Sequence, residues 1–144
     1  MSHDIVILGV FVADTAYRAS RQPKMGETLL GNGFALGPGG KGSNQAVAAA
    51  KAGGDTAFLS KLGDDAFADM AMKTWQEVGV HPVVSRDPAS YTGAAYIFVE
   101  EATGNNAIIV APGAAMTISV CSTWDMMASS LKLTRANVVS HDVS

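Results

Sequence analysis

The chain has 144 residues, 48% hydrophobic and 16% charged, with a formal net charge of −3, which describes one ordinary globular domain with enough apolar residues for a core. Lys and Arg are scattered, so no basic stripe marks a nucleic-acid partner, and no stretch has the length or apolar character of a membrane span. Cys121 is the single cysteine, which excludes an internal disulfide and points to a reducing cytoplasm.

Met1-Ser2-His3-Asp4 carries no basic n-region and no long apolar run follows it, so no secretory signal is expected. His3, His81 and His141 lie far apart along the chain and make no metal-ligand spacing, so no metal is expected. Ile5 to Val10 is a short continuous apolar run, predicted as a strand buried on both faces at the start of an α/β sheet. Asp14 follows just past its carboxyl end, where open α/β sheets bind ligands, and an ionised carboxylate accepts several hydroxyl hydrogen bonds. A solvated turn aspartate is the alternative. Thr15 to Leu36 is more polar and predicts two exposed strands joined by a turn, an excursion from the main sheet.

Gly37-Pro38-Gly39-Gly40-Lys41-Gly42-Ser43-Asn44-Gln45-Ala46 comes next. This glycine-dense turn runs into an alanine-rich helix, with Ser43 as the expected N-cap and Gly53-Gly54 ending the helix. Four glycines in six residues cost backbone entropy and let another group approach the main chain closely. The free N–H groups of the helix start, Lys41 and Asn44 suit an oxygen-rich or anionic small molecule. The plainer alternative is a tight turn before a buried helix. Thr56 to Leu62 is the second buried strand, and Asp64 or Asp65 caps a helix from Ala66 to Val78 with Trp75 in its core stripe. Val80 to Val84 is a third core strand. Thr92 to Glu101 alternates as a strand with unlike faces, Ala107 to Val110 follows and is closed by Pro112-Gly113, and Ile118 to Leu133 forms a last helix. Ala136 to Val139 begins another strand. Strands alternating with helices argue a parallel sheet with right-handed crossovers.

The glycine stretch fails the Walker A pattern, because Gly42 follows Lys41 and Ala35 stands where the first glycine belongs. Gly37, Gly39 and Gly42 do satisfy G-x-G-x-x-G, and Asp64 or Asp65 lies near the distance expected of a dinucleotide site. The buried strand that should directly precede that fingerprint is missing, which leaves a dinucleotide-binding domain as the weaker alternative.

Gly39-Gly40-Lys41-Gly42-Ser43-Asn44-Gln45-Ala46 resembles the first signature of the ribokinase-like (PfkB) carbohydrate kinases, within them most closely the ribokinase branch. Asp14, Pro23 with Gly26-Glu27-Thr28, Gly63-Asp64-Asp65, Thr92-Gly93, and Asn106 with Gly113-Ala114 fall in that family's order, up to about residue 135. The resemblance implies a three-layer α/β/α parallel sheet with a small β lid built from segments of about 12–38 and 90–108. It implies that Asp14 grips sugar hydroxyls, that Gly39, Gly40, Lys41 and Asn44 line the same pocket, and that Ala95 and Ile97 pack over the sugar. The implied activity is ATP-dependent phosphorylation of a ribose-like sugar or nucleoside-type alcohol. Lids of this kind often pair, which implies a homodimer. Three positions depart from the pattern: Val12 and Ala115 stand where asparagines are common, and the tail Ser140–Ser144 does not continue the apolar strand.

Family members are about twice as long, so residues 1–144 correspond to the sugar-binding half, truncated about halfway. ATP and Mg are expected for the full-length family, but their main sites, with the Gly-Ala-Gly-Asp segment that carries the catalytic base, fall in the other half. The chain alone is therefore expected to lack kinase activity. A non-catalytic sugar-binding or dimerisation module is the competing class of function.

Overall fold

The computed structural model describes residues 3–119 and 138–140. Two sheets organise them. β1 (Ile5–Leu8) runs parallel to β4 (Thr56–Leu62) on one side and to β8 (Val138–Ser140) on the other. β5 (His81–Arg86) extends the sheet beyond β4, giving the order β5-β4-β1-β8, all parallel. The second sheet, built from β2 (Val12–Ala19), β3 (Gly33–Gly39), β6 (Thr92–Glu100) and β7 (Asn106–Gly113), has the order β3-β2-β6-β7. It is mixed: β2 and β6 are parallel, and the outer pairs are antiparallel. It forms the lid, over residues 12–39 and 92–113.

β1 and the first half of β4 read as nearly continuous apolar sequence because their side chains are buried on both faces of the sheet. Helices α1 (Lys41–Lys51) and α2 (Ala66–Glu77) supply one cover, and Ala46, Ala68, Ala71 and Trp75 meet Ile7, Phe58 and Leu62 there. On the other face Val6, Ala57 and Leu59 form a second buried cluster. The helix expected over Ile118–Leu133 lies, from residue 120 onward, outside the described residues, as do Cys121 and the tail beyond Ser140. Trp75 is a core residue, as its spacing predicts. It is fully buried, edge-on to Phe58 at 4.9 Å and Phe11 at 5.7 Å, and burial of such a ring contributes roughly 1.5–3 kcal/mol.

The helix ends correct one expectation and bear out another. Ser43 is not the N-cap of α1. Gly40 is, with φ 92°, and no side chain caps the helix. Ser43 sits inside the first turn, buried, where its hydroxyl accepts the Trp75 indole N–H at 2.9 Å. At the other end Gly53, with φ 93°, donates to Ala50 O and Gly54 donates to Ala49 O, the double closure of a left-handed C-terminal turn. Asp65 caps α2 as expected, accepting from Ala68 N at 2.9 Å.

Three boundaries also shift. Gly37-Pro38-Gly39 is not a turn but the end of β3, paired with β2, and the turn is confined to Gly40. Pro112-Gly113 does not close the run after Val110. β7 continues through it because Gly113 pairs with Thr92 at the lid's root. The alternation of β6 is incomplete: Phe98 is 7% exposed and Ala95 only 2%, so both faces of the lid's central strand are partly covered. The histidines differ as well. His3 and His81, remote in sequence, stack with ring centroids 4.4 Å apart at the amino ends of β1 and β5. Among the described residues no helix is long and apolar enough to cross a membrane.

Candidate functional site

The site is assembled where β1 ends and α1 begins. Gly9 and Gly42 bring the two backbones together. A Cβ on Gly42 would come 2.8 Å from Gly9 Cα and 3.2 Å from the Phe58 ring, so only glycine lets the helix start this close to the sheet. Gly40 makes the turn into the helix, and its φ of 92° suits no L side chain. The result is a helix amino terminus, without a side-chain cap, at the carboxyl end of the parallel sheet. Its free N–H groups and dipole favour oxygen ligands or negative charge.

Asp14 reaches this place from the lid. It lies within β2, not in a loop after β1, and its register partners are Gly37 on β3 and Ala95 on β6. Its carboxyl group covers Gly39: both oxygens and Cγ are the nearest atoms to where a Cβ on Gly39 would stand. The missing side chain of Gly39 thus leaves the space that the carboxylate fills. Partial burial pushes the Asp14 carboxyl above its usual pKa. Lys41 and Asn44 are three residues apart on the exposed side of the first helical turn and so share one face. Gly42, Ser43 and Ala46 take the buried side, and Asn44 N donates to Gly40 O at 2.9 Å.

In-register residues of a sheet point to the same face. Ala95 therefore stands beside Asp14, and Ile97, paired with Ala16, stands one side-chain step further along. Thr15 fastens β2 to β6 through a hydrogen bond to Ala95 O at 2.9 Å. The structure thus joins Asp14, Gly39 and Ala95 directly, follows them with Gly40 and the first turn carrying Lys41 and Asn44, and sets Ile97 further out.

Two groups went unnoticed in the sequence. Val110 and Ile108 pair with Ala95 and Ile97 and extend the Asp14 face of the lid onto β7. Their exposure of 54% and 53% is visible only once the register is known. Asp65 and Thr92 fix the lid to the body. Asp65 accepts from Thr92 N at 2.7 Å, and the Thr92 hydroxyl accepts from Gly63 N at 2.9 Å. Gly63-Asp64-Asp65 was legible as a helix start but not as the lid's anchor.

A parallel sheet flanked by helices and carrying a separate β lid defines a class of α/β domains. Residues 2–133 match the pfkB family carbohydrate kinase profile, and the chain belongs to that family. It is 40% identical over 112 residues to a deoxyribokinase of Salmonella typhi, a match covering 77% of this chain and 36% of that protein. With a ribokinase of Bacillus subtilis it shares 35% identity over 111 residues, covering 77% and 38%. The structure of a ribokinase from Giardia lamblia superposes with a TM-score of 0.79 at 31% identity, over 96% of this chain and 42% of that one. That of an Arabidopsis thaliana ribokinase complexed with ribose and ATP gives 0.71 at 33% identity, over 79% and 37%. The chain thus spans well under half the length of these relatives.

Proposed function

We propose that this chain is the sugar-binding part of an ATP-dependent carbohydrate kinase acting on a ribose-like sugar. The observation that carries the proposal is the Asp14 carboxylate lying over Gly39 beside the uncapped start of α1. A carboxylate that accepts hydroxyl hydrogen bonds, next to backbone N–H groups and an amide side chain that donate or accept them, matches the alternating polarity of a polyol. Asp14 takes sugar hydroxyls. The Gly39 and Gly40 backbone, Lys41 and Asn44 complete the polar side of the pocket, and Ala95 and Ile97 close over the apolar face of the ring. The relatives support the substrate class, since the Arabidopsis protein was solved with ribose and ATP. The 144 residues contain no Gly-Ala-Gly-Asp segment, so the chain on its own holds the sugar without phosphorylating it, and ATP and Mg belong to the complete enzyme. A cytoplasmic setting agrees with the single cysteine.

Calorimetric titration of the chain with D-ribose and 2-deoxy-D-ribose tests the proposal. Binding of one of them is expected, weakened at least tenfold by Asp14→Asn, which keeps the shape and removes the charge. Because burial raises the Asp14 pKa, the affinity should fall on acidification from a pH above the usual aspartate value, where the carboxylate starts to protonate. The Asp14→Asn variant should show no such fall. Equal binding by the variant, or no binding of either pentose, overturns the assignment. A coupled kinase assay on the same chain should show no phosphorylation.

A second reading has its own observation. On the lid face opposite Asp14, Tyr17 lies 5.2 Å from Phe34 and 5.5 Å from Tyr96, and Phe34 (62%), Leu36 (46%) and Ile109 (68%) are exposed around them. An apolar sheet face of this kind supports pairing with a second copy of the lid. Sedimentation equilibrium should show a dimer that Phe34→Asp dissociates.

A further inference from the structure

We propose that His3, Asp55 and His81 form a binding site for a divalent transition-metal ion at the amino ends of β1, β4 and β5, the opposite end of the main sheet from Asp14. The three residues come from separate parts of the chain: His3 precedes β1, Asp55 precedes β4, and His81 is the first residue of β5. Parallel pairing brings those strand starts side by side, and Asp55 O receives both Asp4 N and Ile5 N at 3.1 Å, which pins the start of β1 to it. His3 Nδ1 lies 2.7 Å from Asp55 Oδ1, and His81 Nε2 lies 3.4 Å from the same oxygen. One ligand atom from each residue falls within a 4.8 Å sphere of the other two.

The convergence exceeds what a hydrogen bond requires. A single His–Asp contact satisfies His3, yet a second imidazole faces the same carboxylate oxygen, with the two rings 4.4 Å apart. In a tetrahedral site with metal–ligand bonds of about 2.0–2.2 Å, neighbouring ligand atoms stand about 3.3 Å apart. The His81–Asp55 distance already has that value, and the His3–Asp55 distance needs to open by about 0.6 Å. Asp55 can supply the movement: its backbone is held while its side chain is 44% exposed. The buried His3, 6% exposed, is the fixed ligand. Two nitrogens and one carboxylate select borderline ions such as zinc or cobalt over magnesium or calcium. Because His81 and Asp55 are open to solvent, water completes the coordination. The bound ion ties three strand starts together.

The test uses the full untagged chain carrying Cys121→Ser and His141→Ala, so that no other thiol or histidine competes. Isothermal titration with zinc chloride in a non-coordinating buffer should give one site of micromolar or tighter affinity, unaffected by millimolar magnesium. Cobalt(II) should give the visible absorption of a four- or five-coordinate nitrogen–oxygen site. His81→Ala removes an exposed side chain, so circular dichroism should stay unchanged while zinc affinity falls at least about tenfold. Asp55→Asn should weaken it similarly. Failure to bind zinc at about 100 μM, or equal affinity in the parent and in folded His81→Ala, overturns the proposal.

Discussion

Replacing Asp65 with alanine probes how the lid is held at its working angle. The Asp65 carboxylate joins two elements: Oδ1 accepts from Ala68 N at 2.9 Å and caps α2, while Oδ2 accepts from Thr92 N at 2.7 Å at the root of β6. Loss of a helix cap costs about 1 kcal/mol. Thr92 is 1% exposed, so its orphaned N–H adds about 1–3 kcal/mol. The two losses share one side chain, and together they predict destabilisation of about 2–4 kcal/mol. Urea unfolding followed by far-ultraviolet circular dichroism measures it, with an unchanged slope against denaturant expected. Asp65→Asn keeps one carbonyl acceptor and should cost about half as much. The pH dependence carries a sign. Burial pushes the Asp65 carboxyl up, but the amide hydrogen bonds from Thr92 and Ala68 outweigh it and hold the pKa below the usual aspartate range. Its stabilisation is therefore complete above the unfolded value of about 3.9 and is lost as pH falls through the folded value. The gap between parent and Asp65→Ala should narrow only in that acid window. A loss below about 0.5 kcal/mol at neutral pH, the range of ordinary surface substitutions, would refute the reasoning, as would a gap that stays constant into strong acid.

Ser43→Ala should destabilise by about 1–3 kcal/mol, because the buried Trp75 indole N–H loses its partner; equilibrium unfolding reads this directly. Among the glycines, Gly40→Ala should cost about 2 kcal/mol or more, since φ 92° is closed to alanine and its Cβ meets the Val10 carbonyl oxygen. Gly37→Ala meets nothing within 4 Å and should stay within about 0.5 kcal/mol of the parent in the same measurement.

Local patterns made the body of the fold legible. The apolar runs at Ile5 and Thr56 and the helical stripe through Ala68, Ala71 and Trp75 each encode their own burial, because strand and helix periodicities act over a few residues. Helix ends were only half legible. Gly53 signalled its positive φ by being glycine at a helix end, and Asp65 capped as aspartates do. Ser43 misled because a serine before alanines has the propensity of an N-cap, while its hydroxyl answers to a distant indole. Tertiary hydrogen bonding overrode the local preference. Pro112-Gly113 misled similarly. A proline can stand in a strand whose N–H at that point is not needed by the ladder, and β7 is an edge strand.

The site depends on register, which no single stretch encodes. That Asp14 would meet Gly39 follows from β2 and β3 pairing with Val12 opposite Gly39 and Asp14 opposite Gly37. A slip of one residue in β2 would send the carboxylate to the opposite face, toward Phe34 and Tyr96. The glycines of 37–42 divide the work. Gly39 leaves room on the lid for a carboxylate, Gly40 turns the chain, and Gly42 lets the helix start against Gly9. Their density along the chain announced a close approach but not which groups approach. The same limit explains His3 and His81. Spacing rules for metal ligands assume that one loop or helix supplies them, whereas a parallel sheet collects residues from every strand start, whatever their separation. Chemistry at the two ends of such a sheet is therefore written differently. At the carboxyl end the glycine motif is contiguous and readable. At the amino end it is distributed, and it is found only by asking which side chains the strand order places together.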